Sequence, residues 1–314
     1  MEQRTVIVTG GNSGLGYQCA KNIAATGRNY TVVIACRTPD KSAAAVESLR
    51  RETGNNNIHW LPLDLSSFDS VRHFVDEFKA GSFPPLYGLV CNAGITYLNL
   101  FLSHDGLEVT FQTCYLAHWL LTHLLLNQMV DHGRIVCVTS DMHRVPFAHS
   151  RPKFTDINEL AYTKRSGPTF WFYSRAKFCI VLGVYEMARR LVSETHTGIT
   201  VNVYHPGVMA ETNIWPAHKS RLLAFFQGLG VRIFGCLVLQ GSTAIKSGKI
   251  LAGFITKFKY EGATGKYYFP EGNLYPSARY TYDRQAADKL WVQSAEMAHL
   301  RPEETPLSLG SKHL

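Results

Sequence analysis

The sequence predicts an α/β fold: one doubly wound parallel sheet with helices on both faces. Three observations carry this. Between residues 5 and 297, short apolar runs rich in β-branched residues alternate with longer helix-like stretches, with no linker between them. The first run, Thr5-Val6-Ile7-Val8-Thr9, passes directly into a glycine-rich turn and then a helical pattern. The chain has 314 residues, 46% hydrophobic and 18% charged, which suits one large globular domain and argues against disorder. The domain is expected to span residues 1–299. Residues 300–314, broken by Pro302, Pro306 and Gly310, read as a loose tail.

The turn after the first strand is Gly10-Gly11-Asn12-Ser13-Gly14-Leu15-Gly16, and its helix runs to about Ala25. Strand, glycine-rich turn and helix form the context of a dinucleotide fingerprint, the Rossmann arrangement. Gly10 permits the tight turn, Gly14 lets backbone approach a pyrophosphate, and Gly16 allows close helix–strand packing. Asn12, Ser13 and Leu15 complete the cradle, and the helix N-terminus offers free N–H groups to phosphate. A Walker loop is excluded because Tyr17-Gln18 follow Gly16, and a nucleophile elbow because Leu15 stands where it needs glycine. The second strand is 30–36, and Ala35-Cys36-Arg37 stand where an acid would select NAD. The Arg37 guanidinium suits a 2′-phosphate instead, so NADP(H) is expected.

A helix over 39–53, with Pro39 at its start, precedes a strand over 58–63 that ends at Asp64-Leu65, where an adenine edge would lie. Ser66 or Ser67 caps a helix over 68–80. The strand 86–91 ends at Asn92-Ala93-Gly94, at the carboxyl end of the fourth strand, where open parallel sheets bind ligands. A long helix is expected over 107–130 and a strand over 134–139, ending at Ser140. The following stretch, with Arg144, Pro146, His149, Arg151 and Pro152, reads as an irregular loop over the site. The helix 169–194 carries Tyr173 and Lys177, four residues apart and so on one face. A fixed ammonium beside a phenol favours the phenolate, which makes the pair a proton donor and acceptor. A strand over 199–204 runs into His205-Pro206-Gly207. Residues 213–240 hold an apolar segment, broken by Gln227, Gly228, Gly230, Arg232 and Gly235, which argues against a spanning helix. Its apolar residues permit peripheral membrane contact through 220–240. A helix over 241–255, a strand over 264–269 and a helix over 282–297 complete the domain.

The formal net charge is +8, but no Lys/Arg run exceeds two residues and no nucleic-acid motif is present. A polyphosphate cofactor accounts for the basic balance better than nucleic acid. The seven cysteines, at 19, 36, 91, 114, 137, 179 and 236, fall mostly in apolar runs without Cys-x-x-Cys spacing. They read as thiols of a reducing, cytoplasmic setting, not a disulfide framework or a metal site. The N-terminus leads straight into a strand, so no signal peptide is expected, and the ending Lys312-His313-Leu314 is not a peroxisomal one.

Thr9-Gly10-x-x-x-Gly14-x-Gly16, Asp64-Leu65, Asn92-Ala93-Gly94 and Tyr173-x-x-x-Lys177 occur in the order and spacing of the short-chain dehydrogenase/reductase family. The resemblance spans about residues 5–297. Ala35-Cys36-Arg37 followed by Lys41, and Lys289-Leu290-Trp291, look most like the retinol-dehydrogenase-like branch. It implies an oxidoreductase that moves hydride between NADP(H) and a carbonyl or alcohol of a lipophilic substrate, of retinoid, steroid or long-chain aldehyde type. By the resemblance, Ser140 orients the carbonyl with Thr139 as its neighbour, Tyr173 transfers the proton, and Lys177 holds the nicotinamide ribose. Pro206, Gly207, Val208 and Thr212 would meet the nicotinamide amide, and 211–240 would close as a lid. Family members often pair through the two long helices, here 107–130 and 169–194, which implies a homodimer. Cys114 departs from the pattern: it stands at the family's catalytic Asn, which helps hold a relay water, and a thiol is a poor hydrogen bonder. His118 matches a family histidine and reads as a packing residue. Two other readings remain. Ala210-Glu211-Thr212 is similar to light-dependent protochlorophyllide reductase, from which Val208, Ser140 and Cys114 depart. Cys114 also motivates an NADPH-binding sensor or scaffold with little turnover.

Overall fold

The buried, β-branched runs pair side by side because strands covered on both faces have no polar side to expose. A computed structural model describes residues 2–97, 100–144, 154–162, 169–209 and 241–312. The strands are β1 (Arg4–Thr9), β2 (Tyr30–Cys36), β3 (Ile58–Pro62), β4 (Leu86–Cys91), β5 (Met129–Val138), β6 (Thr200–Tyr204) and β7 (Tyr267–Tyr268). They form one seven-stranded sheet of order β3-β2-β1-β4-β5-β6-β7, with every described pair parallel. The order reverses between β1 and β4, so their carboxyl ends open a crevice.

Helices α1 (Gly14–Ala24) and α2 (Pro39–Thr53) lie on one face of the sheet, and α3 (Phe68–Ala80) on the other. Helix α4 (Val109–Phe111) passes through a π turn, Gln112–Leu116, into α5 (Ala117–Leu126). The short α6 (Asn158–Ala161) precedes the long α7 (Thr169–Glu194), and α8 (Ala244–Thr256) and α9 (Arg284–Met297) follow. Two apolar layers result. Ile7, Leu89, Ile135 and Val201 face α3, α5, α7 and α9, while Val8, Ile34, Val90 and Val136 face α1, α2 and α8. Among the described residues, no helix is long and apolar enough to cross a membrane.

Local signals explain most boundaries. Ser67, not Ser66, caps α3, its side chain accepting from the Ser70 N–H. Gly54, at φ 66°, closes α2. Three expectations are corrected. The helix expected over 107–130 ends at Leu126, because Met129 already pairs with Leu86 in the sheet. The strand expected over 264–269 pairs only at Tyr267 and Tyr268. Residues 300–312 are not loose: Leu300 and Leu307 are buried in the core shared by α5, α7 and α9. The expected lid over 211–240 lies outside the described residues, apart from its last neighbour Gly241, as does most of the loop 145–168.

Buried Asn55 joins α1, β2 and β3. Its amide donates to the carbonyls of Ala24 at 3.1 Å and Tyr30 at 3.0 Å, and its oxygen accepts from Asn57 N–H at 2.9 Å. Asn55→Ala strands two buried carbonyls and a half-buried N–H and should lower stability by ~1–3 kcal/mol. An unchanged urea midpoint would contradict that role.

Candidate active site

The site grows from the carboxyl end of β1. Gly10 sits at φ 65°, a region side chains disfavour, and its N–H bonds the Ala35 carbonyl at 2.9 Å. The chain then enters α1 with Ser13 extended at its N-cap, but the Ser13 hydroxyl makes no capping bond. The first-turn N–H groups are thus left for an anion. Gly16 is required by close approach: a Cβ there would lie 2.3 Å from the Gly10 carbonyl oxygen and 2.6 Å from Asn92 Nδ2. The tight packing expected at Gly16 therefore lies between helix, turn and Asn92. Leu15 is buried beneath the turn.

Thr9 ties this turn to its neighbours. Its hydroxyl accepts from the N–H groups of Asn92 at 2.9 Å and Ala93 at 3.0 Å, and its carbonyl accepts from Asn92 Nδ2 at 2.8 Å. The same hydroxyl meets His118 Nε2 at 2.9 Å, while His118 Nδ1 faces the Cys114 carbonyl at 3.3 Å. One proton arrangement satisfies all of these: Nδ1–H donates to Cys114 and Thr9 donates to Nε2. His118 thus bridges β1 and α5, and is more than the packing residue expected.

On the far side of the crevice, Ser140 follows β5. Met142 N–H donates to its hydroxyl at 3.3 Å, and His143 Nδ1 lies 2.8 Å from its carbonyl. Buried His143 also accepts from Ala278 N–H at 3.3 Å, and its carbonyl accepts from the Tyr280 hydroxyl. Ser174 on α7 donates to the Met142 carbonyl at 2.7 Å. Residues 141–144 thus form a pinned 3-10 turn, not irregular loop. Arg144 there pairs with Asp141, donates to the Pro276 carbonyl, and is ringed by Tyr267, Phe269 and Tyr275.

Tyr173 and Lys177 face this turn from α7. Thr139, the expected structural neighbour, donates to the Lys177 carbonyl at 2.9 Å. Buried Lys177 aims its Nζ at the Val138 carbonyl, 2.9 Å away, and 5.3 Å from the centre of the Tyr173 ring. The lowering of the phenol pKa expected from Lys177 is not found. Burial above all, and then electrostatic interaction with Cys114, push the Tyr173 phenol up, while its Ser140 partner pulls it down. Burial also lowers the Lys177 pKa, with Cys114 and Cys137 acting against it. Cys114 lies within the π turn, and its thiol donates to the Ile95 carbonyl at 3.4 Å. A Cβ on Gly94 would lie 3.5 Å from Cys114 Sγ and 3.7 Å from Lys177 Nζ. Cys114 therefore braces the Asn92-Ala93-Gly94 turn.

The remaining expected residues sit around this centre. Gly207 turns at φ 87°, the Pro206 carbonyl accepts from Ser247 Oγ at 2.6 Å, and the Val208 carbonyl accepts from Ser242 N–H at 3.0 Å. Asp64 accepts from the Ser66 N–H at 2.9 Å and its hydroxyl at 2.7 Å, and Leu65 is buried beside it. Arg37 is exposed past β2, with no pairing side chain among the described residues, and Asn12 is half-buried in the turn. Thr212 lies outside the described residues. The cradle fits a dinucleotide: helix N–H groups without a side-chain cap, a turn closed to a side chain at Gly16, and a guanidinium past the second strand with no pairing side chain among the described residues. Sequence reasoning missed Ser174, His143 and Ser247. The first two sit one and three residues from Tyr173 and Ser140, but Ser247 is 41 residues from its partner.

The family model for short chain dehydrogenase matches residues 4–152. Among curated relatives, the WW domain-containing oxidoreductase of Danio rerio is 32% identical over 96% of this chain and 70% of its own length. The human WW domain-containing oxidoreductase is 36% identical over 69% of this chain, which spans only 51% of that protein. Human polyprenol dehydrogenase is 31% identical over 94% of this chain and 84% of its own. Human retinol dehydrogenase 13 is 31% identical over 95% and 85%. A solved short chain dehydrogenase from Burkholderia cenocepacia, in complex with NADP, superposes with a TM-score of 0.63 at 24% identity, covering 86% of this chain and 97% of that one.

Four buried histidines give the protein a testable pH response. Burial, above all, lowers the pKa of His118 to about 4, His123 to about 3, His143 to about 4 and His205 to about 3. Unfolded histidine titrates near pH 6.5, so the folded values lie below the unfolded ones. Unfolding therefore takes up protons between about pH 6.5 and 4, and stability, complete above the unfolded pKa, falls as pH drops through that window. Each group contributes up to ~1.4 kcal/mol per pH unit there. The urea midpoint should fall from neutral pH toward about pH 5, and His123→Leu should flatten the slope. A flat profile in the parent chain would contradict the burial of these rings.

Proposed function

Because the chain belongs to the short-chain dehydrogenase/reductase family, we propose that this oxidoreductase moves hydride between NADP(H) and a carbonyl or alcohol carbon of a lipophilic substrate. The observation that carries the reading is the gathering of Ser140, Tyr173 and Lys177 beside the Asn92-Ala93-Gly94 turn and the glycine cradle. Bound nicotinamide supplies the hydride chemistry, and the protein supplies placement and protons. Gly10, Asn12, Ser13, Gly14, Leu15 and Gly16 hold the pyrophosphate. Arg37 takes the 2′-phosphate, and Asp64-Leu65 border the adenine. Asn92-Ala93-Gly94 and Pro206-Gly207-Val208 line the nicotinamide end.

Ser140 donates a hydrogen bond to the substrate oxygen, and Tyr173 gives that oxygen its proton. A phenol that stays protonated well above neutral pH suits the direction of carbonyl reduction. Lys177 leaves the Val138 carbonyl to bind the ribose hydroxyls, and its ammonium then stabilises the phenolate left on Tyr173. Exposed Tyr275, packed against Arg144 of the turn after Ser140, favours an apolar substrate. The names of the polyprenol and retinol dehydrogenase relatives point the same way. Peripheral contact with a membrane through 220–240, in an otherwise cytoplasmic protein, belongs to this reading.

A second reading rests on one observation. Lys177 is committed to Val138 and Cys114 to Ile95, so no described side chain links Lys177 to bulk solvent. That favours an NADPH-binding sensor or scaffold with slow turnover.

One variant separates the two. With retinaldehyde, a steroid ketone and a long-chain aldehyde as probes, Tyr173→Phe should cut turnover by about 10²–10⁴-fold. NADPH should still raise the Tm of this variant, and more than NADH does. Undiminished turnover would remove Tyr173 from the chemistry, and equal shifts by NADH would remove the 2′-phosphate preference. NADPH stabilisation of the parent chain without turnover of any probe would favour the sensor.

A further inference from the structure

Helix α5, Ala117-His-Trp-Leu-Leu-Thr-His-Leu-Leu-Leu126, is apolar around nearly its whole circumference. Such a helix must be covered on every side. All ten of its residues are buried within a single chain, as is every residue of α7 from Ala176 to Ala188. Sheet and α3 account for the inner and lateral sides. The outer side is closed by Trp291 of α9, packed edge-on to Trp119 at 5.4 Å, and by residues 300–312.

This terminal segment is anchored along its length. Arg72 on α3 holds Glu304 and donates to the His299 carbonyl at 2.8 Å. Thr305 meets His123 Nδ1 of α5 at 2.9 Å, and Leu300 and Leu307 insert into the apolar layer. The Ser308 carbonyl accepts from Arg190 Nη1 at 2.8 Å and Trp291 Nε1 at 3.0 Å, and its N–H donates to Glu194 at 2.6 Å. Lys312 donates through its N–H to Asp288 at 3.0 Å and pairs through Nζ with Glu194 at 2.6 Å. At the centre, Arg190 is fully buried, bound to Glu186 at 2.7 Å and Asp288 at 2.8 Å, with its guanidinium over Trp291. A buried guanidinium persists only when its donors find partners, and the Ser308 carbonyl is the one partner of Arg190 drawn from residues 300–312.

We infer that residues 300–312 are an intramolecular strap that closes the outer face of α5 and α7, so that a second copy of this chain cannot pack there while the strap is docked. The pairing through 107–130 and 169–194 implied by the family resemblance is therefore replaced, in this chain, by residues 300–312. Released, the strap would leave an apolar face whose natural occupant is the same face of a second copy.

The test needs no substrate. In the full chain, hydrogen exchange should show the Ser308 and Lys312 amides protected at low and high protein concentration alike. Light scattering should give 35.2 kDa, one copy, or an assembly in which those amides stay protected. A chain ending at Leu300 should self-associate where the full chain does not. If that truncation fails to fold, Leu307→Ser is read the same way. Two results would overturn the inference: strap amides that lose protection as the full chain associates, or a folded strapless chain with the oligomeric state of the parent.

Discussion

The site depends on what the Thr9 hydroxyl does at the end of β1. It accepts two backbone N–H groups from the Asn92-Ala93 turn and meets His118 of α5. One small side chain thereby fixes three bodies: the glycine turn, the turn after β4, and the helix that carries Cys114. The crevice between β1 and β4 follows from strand order, but its width follows from these bonds. The same constraint explains Gly16, since a turn held this close to Asn92 leaves no volume for a Cβ. His118 stays neutral chiefly because burial disfavours its charge, which leaves Nε2 free to accept from Thr9.

Opposite this fixed wall stands a second one, built around Ser140. His143, Ser174 and Arg144 pin the turn that follows Ser140 to α7 and to residues 276–280. Between the walls lies Lys177. Lys177 rests on the Val138 carbonyl, and its charge is disfavoured by burial. A cofactor ribose would offer better acceptors in the same space. Cofactor binding and arming of Tyr173 would then be one event, with the phenol inert until the cradle is filled. The π turn at 112–116 places Cys114 to brace the Gly94 backbone, a use of irregular helix often met at functional sites.

Much of this was legible in the sequence. Strands 30–36 and 86–91 and helices 39–53 and 68–80 begin and end where apolar pattern, Pro39, Ser67 and Gly54 say they should. The named site residues with described positions lie at the carboxyl ends of the strands, with Tyr173 and Lys177 on α7. What was hidden depended on partners far away in the chain. Pro302, Pro306 and Gly310 read as the marks of a loose tail, whereas the Ser308 carbonyl is held by Arg190, 118 residues earlier. The π turn was invisible because its extra residue leaves the apolar run unbroken. The spacing of Tyr173 and Lys177 gave their shared face but not the rotamer that sends the ammonium to Val138.

The central claim is that Ser140, Tyr173 and Lys177 serve hydride exchange with a bound nicotinamide. The most direct measurement uses NADPH deuterated at its transferable position with a lipophilic aldehyde, followed by mass spectrometry of the product alcohol. The account predicts one deuterium on the carbinol carbon and none from solvent deuterium at that carbon. Alcohol formed without the label, or label appearing equally with Tyr173→Phe, would contradict it.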